Sequence, residues 1–469
     1  MKAEPSAKRV NFHYSAFMGI IPPVNFFSED FMSSRGNWGG RIGFILAAAG
    51  SAVGLGNIWK FPYVVGRNGG GAFYLIYIAA VLFAGIPLMI AEIYIGHKTE
   101  KSPISAFKTL QTGRIPFSPV GFAGVLTGTL ILSFYSVITG WIFHYFFLSL
   151  GGFSGSDESI KGLFGELASS PWINIGWHSL VMLIVVLVII KGVEKGIEKV
   201  SKILMPALGV LLIVLVVYSA FSSGFRQAVK FMFYPDFSQV TGHSMLEALG
   251  TAFFTLSLGM GAMITYGSYI DKKGRVSYLK TSLQIATIDT VIATMAGLII
   301  FPIVFSNGLE ADSGPSLIFK TLPVLFARIP GGRILAILFF LLVIFAAITS
   351  AISLLEVCVS SCVDEFKWSR MKSTILFGVL IWLLGILSAV SSLNINGKGF
   401  LDIFDGLTSH YLMPVGGLAT IIIFAWAIPT SVKESDFGKT KTFKVILFVT
   451  RFVTPVLLAI VLLNEIGIF

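Results

Sequence analysis

Charge is scarce in this chain. Asp, Glu, Lys and Arg make up 12% of its 469 residues, about half the share found in soluble domains. At 55% hydrophobic residues and a mean hydropathy of +0.84, no water-soluble fold would have enough polar surface to enclose its core. The surplus must face lipid. Cysteine is almost absent too: Cys358 and Cys362 stand four apart in an apolar run, which excludes a disulfide scaffold. They read as small packing residues, with a disulfide or metal pair as the alternative. No His-Glu-x-x-His or Gly-x-Ser-x-Gly signature occurs, so neither a zinc hydrolase nor a serine hydrolase is indicated. Alternating segments of about 10 residues, the mark of a membrane barrel, are also missing. The apolar runs are instead continuous and about 20 residues or longer, as membrane helices require.

Eleven such runs are predicted, at about 39–66, 71–96, 119–149, 172–191, 197–221, 244–270, 277–306, 332–364, 372–389, 401–428 and 443–466. The fold class is therefore all-α integral membrane with eleven transmembrane helices. Basic residues exceed acidic ones, 34 to 24, for a net charge of +10. This surplus does not point to nucleic acid, because it lies in short loops between the runs. One set of alternate loops carries clusters such as Lys98, Lys101, Lys108 and Arg114, or Lys272, Lys273, Arg275 and Lys280. The other set holds scattered cations such as Arg67, Lys161, Arg226 and Lys398. The positive side is expected to be cytoplasmic. The N-terminus is then inside, Phe469 outside, and the membrane the cell (inner) membrane.

Two runs are punctuated by glycine at mid-depth. Gly50, Gly54 and Gly56 interrupt the first, and Gly259 and Gly261 the sixth. Each glycine costs a helix interior about 1 kcal/mol relative to alanine. Close helix packing through small residues is one explanation. The other is an unwound segment, which frees carbonyls for a cation and helix N-termini for a carboxylate. Unwound backbone is tolerated at that depth only where it lines a cavity. Interruptions at matching places in two halves point to an inverted-repeat transporter.

These residues are also recognisable. Asn-Trp-Gly-Gly-Arg-Ile-Gly (37–43) and Ala-Gly-Ser-Ala-Val-Gly-Leu-Gly-Asn-Ile-Trp-Lys-Phe-Pro-Tyr (49–63) resemble the first helix of the neurotransmitter:sodium symporter family. So do Asn-Gly-Gly-Gly-Ala-Phe (68–73), Gly-Ile-Pro-Leu (85–88), Lys-Gly-Ile-Glu-Lys (195–199), Phe-Phe-Thr-Leu-Ser-Leu-Gly (253–259) and Ile-Thr-Ser (348–350). The likeness runs from about residue 35 to the end and is closest to the bacterial amino-acid transporter branch. Paired interruptions are a feature of this same family fold, so they and the resemblance are not independent. The resemblance implies a five-plus-five inverted repeat with helices 1 and 6 discontinuous. Residues 38–222 would form the first repeat, 223–430 the second, and 431–469 an eleventh helix.

It also implies two sodium ions beside the substrate. One would be held by the Ala52 carbonyl, Asn57, Thr255 and Asp289. The other would be held by the carbonyls of Gly50, Val53 and Ala346 with the hydroxyls of Thr349 and Ser350. All are oxygen donors, as a hard cation prefers. Thr349 and Ser350 have a plainer alternative, hydrogen bonding back to their own helix. Asp289 departs from the animal members, which carry Asn there, and an intramembrane carboxylate reads as functional. Tyr77 is kept near the place where chloride-dependent members bind their anion, but Thr251 and Ala293 replace polar ligands. Asp289 is thus expected to supply the negative charge, with no chloride needed.

Gly54 stands where amine transporters of the family have Asp, which leaves room for a substrate that brings its own carboxylate. Leu55 and Tyr135 would hold that carboxylate, and Phe254, Thr255 and Ser257 the ammonium. Ser51, Ile131, Phe254, Met260, Ser350 and Leu354, with Ala52, would form the rest of the pocket, suited to a neutral, apolar or aromatic amino acid. Core packing explains Ile131 and Leu354 equally well. Lys60 with Asp405, and Arg35 with Asp364, match the outer and inner gate pairs. The expected partners are this substrate and the bilayer, in a monomer or homodimer. Rival readings are a sodium-leak channel and a non-transporting sensor on the same fold; an enzyme is not expected.

Residues 1–37 mix Pro, Phe and charge without an apolar core or a signal-peptide design. They are expected to be either a disordered cytoplasmic segment or untranslated, with Met32 as the start. Intact mass of the native protein checks this: a mass beginning at Met32 supports the start-site reading, and one beginning at Met1 overturns it.

Overall fold

In the computed structural model, the described residues are 36–111, 114–271, 276–308 and 317–466. The chain runs through α1 (Arg41–Ala52), α2 (Gly56–Arg67), α3 (Gly71–Thr99), α4 (Pro103–Leu110), α5 (Ser118–Gly151), α6 (Asp157–Ala168), α7 (Pro171–Ile190), α8 (Val193–Ala220) and α9 (Phe225–Phe233). It continues through α10 (Gly242–Thr255), α11 (Ala262–Gly267), α12 (Tyr278–Ser306), α13 (Leu322–Arg328), α14 (Gly332–Phe366) and α15 (Arg370–Ala389). A two-residue hairpin, β1 (Asn394–Ile395) and β2 (Lys398–Gly399), precedes α16 (Phe400–Ala427), α17 (Thr430–Phe437) and α18 (Lys441–Glu465). Among the described residues, nine helices are long and apolar enough to cross a membrane, and α1 with α2 form a bent pair that adds a tenth. Each predicted run overlies one helix or one broken pair. The short helices α4, α6, α9, α13 and α17 lie in what had read as loops, because they are too short or too polar to register as spans.

The helices sort into an inner and an outer set. The apolar windows of α5 and α14 are 83% and 72% buried, whereas those of α8 and α18 are 28% and 22% buried. The inner helices are therefore surrounded by protein, and the outer ones present leucine, isoleucine and valine outward, as lipid contact requires. Polar residues on α5 survive burial by bonding to their own helix: Thr127 donates to the Ala123 carbonyl at 2.7 Å and Thr139 to Tyr135 at 2.7 Å. Past α16, the buried Lys433 ammonium donates to the carbonyls of Phe424 at 2.7 Å and Ala425 at 3.0 Å. It thereby fills the C-terminus of that helix with positive charge. Burial, and then the Arg451 cation, lower its pKa to about 8, so it is still protonated at neutral pH.

Two breaks shape the middle of the molecule. At Val53 the backbone turns extended (φ −71°, ψ 106°), and the chain re-enters a helix through a π-turn, Gly56–Lys60, bent by 49°. Between α10 and α11, Ser257, Gly259 and Gly261 all have left-handed φ, of 53°, 80° and 79°. At Gly259 a Cβ would also lie 2.3 Å from the Met413 carbonyl oxygen. Glycine is thus needed there twice over, for the dihedral and for the close approach. Gly50 corrects the expectation of an unwound stretch reaching that far. It lies within α1, and its missing side chain lets the helix pack on Met205 and Thr349.

Replacing Gly259 by alanine is expected to destabilise the protein by roughly 1–2 kcal/mol from the left-handed backbone alone, with the carbonyl clash added. Gly250→Ala, in α10 where a Cβ meets nothing within 4 Å, is expected to be neutral or slightly stabilising. Thermal unfolding of the detergent-purified variants separates them, and equal melting temperatures would contradict the account.

Candidate functional site

A helix that stops inside a bilayer strands amides and carbonyls away from water, so the first question is what satisfies them. At the α1–α2 break, the Gly54 amide donates to Asn57 Oδ1 at 3.1 Å and the Leu55 amide to the Tyr135 hydroxyl at 3.2 Å. At the α10–α11 break, the Gly259 amide donates to Glu92 Oε1 at 2.8 Å. The two breaks also meet directly, since Ser257 Oγ donates to the Ser51 carbonyl at 2.7 Å. Ser257 holds its left-handed φ to make that bond, and strain of this kind collects at functional positions.

Around the first break, oxygen atoms converge. Ser350 Oγ on α14 lies 3.4 Å from the Gly50 carbonyl, 3.2 Å from that of Ser51 and 3.2 Å from that of Val53. Its neighbour Thr349 donates to Ala346 at 2.9 Å, and the Gly50 backbone packs on Thr349. Of the five donors expected for one ion, Ser350 Oγ meets the Gly50 and Val53 carbonyls, joined by that of Ser51, and Thr349 Oγ1 meets the Ala346 carbonyl on the adjoining turn of α14. This set of carbonyls and hydroxyls, with no nitrogen or sulfur, suits an alkali cation rather than a transition metal. The alternative for Thr349, bonding back to its own helix, is also present, and the two are compatible because an oxygen that donates still has lone pairs.

A second cluster lies on the other side of the break. Asn57 Nδ2 donates to Asp289 Oδ1 at 2.6 Å and to the Asp289 carbonyl at 3.2 Å. The Tyr77 hydroxyl donates to Asp289 Oδ2 at 3.2 Å and pairs with the Thr255 hydroxyl at 3.0 Å. Asp289 is fully buried on α12. A lone buried carboxylate is costly without a counter-charge or several donors, and these hydroxyls and the amide supply the donors. Ala52, the fourth member expected, is buried as the last residue of α1.

Gly54 sits between these clusters in a confined space. A Cβ there would lie 2.6 Å from Ser350 Oγ and 2.9 Å from the Tyr135 hydroxyl. Ile131, Met260 and Leu354 are buried, and Phe254 is half-buried. Ser51 turns its hydroxyl to Ser353 at 2.8 Å. The Phe254 carbonyl accepts from the Ser257 amide at 3.2 Å.

The gate expectations fare unevenly. Lys60 and Asp405 do not form an ion pair. The Lys60 ammonium sits 4.6 Å from the Phe254 ring centroid, and Asp405 accepts from Ser409 at 2.9 Å. A cation over an aromatic face gains a comparable, undirected attraction, and the flexible lysine stem lets it move there. On the same helix, Arg67 pairs with Glu247 of α10 at 2.9 Å, and Asn68 donates to the same carboxylate at 2.8 Å. For the other pair, Arg35 lies outside the described residues, while Asp364 accepts from the Ser102 amide at 2.6 Å. Nearby residues 38 and 266–269 lock together. Trp38 Nε1 donates to the Tyr266 carbonyl at 2.9 Å, and the Trp38 amide to the Tyr269 carbonyl at 3.1 Å.

Sequence reasoning missed Glu92 and Glu356, which are fully buried. Glu356 on α14 binds Arg370, whose Nη1 donates at 3.0 Å, and accepts from the Tyr269 hydroxyl. Both carried the signal that marked Asp289, an acid inside an apolar run.

A family model described as the Sodium:neurotransmitter symporter family matches residues 35–153 and 170–469. An uncharacterized sodium-dependent transporter of Bacillus subtilis (strain 168), YhdH, is 39% identical over 448 residues, 92% of this chain and 98% of its own. A human sodium- and chloride-dependent GABA transporter 2 is 24% identical over 442 residues, 82% of this chain and 72% of its own. The crystal structure of MhsT in complex with L-phenylalanine superposes with a TM-score of 0.85 at 42% identity, covering 92% of this chain and all of that one.

Ser350→Ala removes the hydroxyl on which three carbonyls converge. We expect the sodium concentration that half-maximally raises the melting temperature to increase about tenfold, a cost of about 1.4 kcal/mol. A sodium response identical to wild type would rule out this cluster as an ion site.

Proposed function

Since the chain belongs to the sodium:neurotransmitter symporter family, and is a multi-pass sodium-dependent membrane transporter rather than an enzyme, we propose that it imports a neutral, apolar or aromatic amino acid with sodium, without chloride. The observation that carries this reading is the side-chain-free backbone at Gly54, close to the Ser350 and Tyr135 hydroxyls and flanked by the Ser350 oxygen cluster and by the Asn57–Asp289–Thr255 cluster. A substrate carboxylate laid against Gly54 meets the Leu55 amide and the Tyr135 hydroxyl, which already bond each other. Its second oxygen faces the Asn57 side and completes the shell of a sodium ion there. Sodium and substrate then raise each other's affinity reciprocally. The ammonium is received by the Phe254 carbonyl, Thr255 and Ser257. Ile131, Met260, Ser350 and Leu354, with Phe254, enclose the side chain. The L-phenylalanine held by MhsT supports an aromatic or large apolar substrate.

A second sodium sits in the Gly50, Val53, Ala346, Thr349 and Ser350 cluster and ties α1 to α14. Losing it frees α1 from α14, which is how a cation bound on one side of the membrane is coupled to opening on the other. Asp289 supplies, from within the protein, the negative charge that a chloride-dependent relative takes from solution. We further propose eleven membrane helices in two inverted repeats, 38–222 and 223–430, followed by 431–469. The N-terminus is then cytoplasmic in the cell (inner) membrane, with Arg35 and Asp364 closing the inner side.

Proteoliposome uptake tests the reading. With an inward sodium gradient, labelled L-phenylalanine or L-leucine is expected to accumulate, and glutamate and γ-aminobutyrate are not. Potassium in place of sodium should abolish uptake, and gluconate in place of chloride should leave it unchanged. Collapse in gluconate would remove the role given to Asp289, and sodium flux without stoichiometric substrate would replace symport with a leak.

A further inference from the structure

We infer that the groove between α1 and α12 on the lipid-facing surface binds one anionic phospholipid. The groove has a volume of about 510 Å³, and Ile45, Lys280, Leu283, Gln284 and Ile288 are among the residues that line it, a size typical of sites for small molecules. Its lining is graded along α12. Ser277 and Lys280 stand at the start of the helix, and Leu283, Gln284, Thr287 and Ile288 follow, with Ile45 from α1, so the charge lies at the start and the deeper lining is uncharged. The polar end therefore lies at headgroup depth and the apolar end at acyl depth.

Charge at the polar end is of one sign. Arg41, exposed at the start of α1, donates to Gln284 Oε1 at 3.1 Å and so stands at the groove wall. Neither Arg41 nor Lys280 has a carboxylate within ion-pairing distance among the described residues. Ser277, the N-cap of this 29-residue helix, makes no side-chain capping bond. The first amides of α12 and the positive end of its dipole lie at this end of the helix. Two cations and a helix N-terminus are the recognition set for a phosphate. A phosphate joined to a chain satisfies both ends of the groove, which a free anion or a neutral lipid does not. The inference does not depend on which substrate is carried.

Native mass spectrometry of the full-length protein tests it, using phosphatidylglycerol, phosphatidylcholine and inorganic phosphate as probes. Phosphatidylglycerol is expected to bind in preference to phosphatidylcholine and to resist competition by inorganic phosphate. Lys280→Ala and Arg41→Ala should each weaken it about fivefold, leaving phosphatidylcholine binding unchanged. Equal retention of the two lipids, unaffected variants, or displacement by inorganic phosphate would overturn the proposal. Should the charge variants fail to fold, Leu283→Trp in the otherwise native chain decides. Its fluorescence must be quenched more by brominated phosphatidylglycerol than by brominated phosphatidylcholine, and equal quenching rejects the site.

Discussion

Backbone hydrogen bonding without water is the constraint on which this molecule is built. A continuous helix meets it internally, and most of the chain does so. The two breaks cannot, and the surrounding structure is arranged to answer them. Asn57 and Tyr135 take the amides of Gly54 and Leu55, Glu92 takes the amide of Gly259, and Ser257 reaches across to the carbonyl of Ser51. Because each answer comes from a different part of the chain, the breaks are held by α3, α5 and each other. The carbonyls of Gly50, Ser51 and Val53 also converge on a single hydroxyl from α14. A local defect in one helix thereby becomes a shared polar centre.

That centre is bounded on its other side by Asp289. Its donors, Asn57 and Tyr77, come from α2 and α3, and Tyr77 also links it to Thr255 at the second break. Both oxygen clusters thus include residues beside the unwound segments and residues on continuous helices. Displacing a half-helix would change the distances within both clusters together. Trp38, Tyr269, Glu356 and Arg370 are likewise tied together by aromatic and ionic contacts across elements remote in sequence.

Much of this was legible from residue order. The runs of apolar residues located each long helix because lipid imposes a minimum length and forbids open backbone. The expectation of an oxygen cluster at Gly50, Val53, Thr349 and Ser350 came from likeness to a family, since these residues gain meaning only as a set. Glycine was the weaker guide. Gly50 and Gly54 look alike in sequence, yet one permits helix packing and the other occupies the break, because what distinguishes them is the neighbour each approaches. The expected Lys60–Asp405 pair failed for a related reason. Matching charges at two positions says nothing about a nearer aromatic face, and Phe254 provides one.

Sequence alone determined that the chain lives in a membrane, where its long helices lie and which two of them are interrupted. Those properties follow from composition, length and local conformational cost, all of which are additive along a chain. Tertiary structure decided where the interruptions fall, that Glu92 caps one of them, and that Ser350 meets three carbonyls from a helix 300 residues away. These depend on distances between segments remote in sequence, which packing establishes and no local pattern encodes.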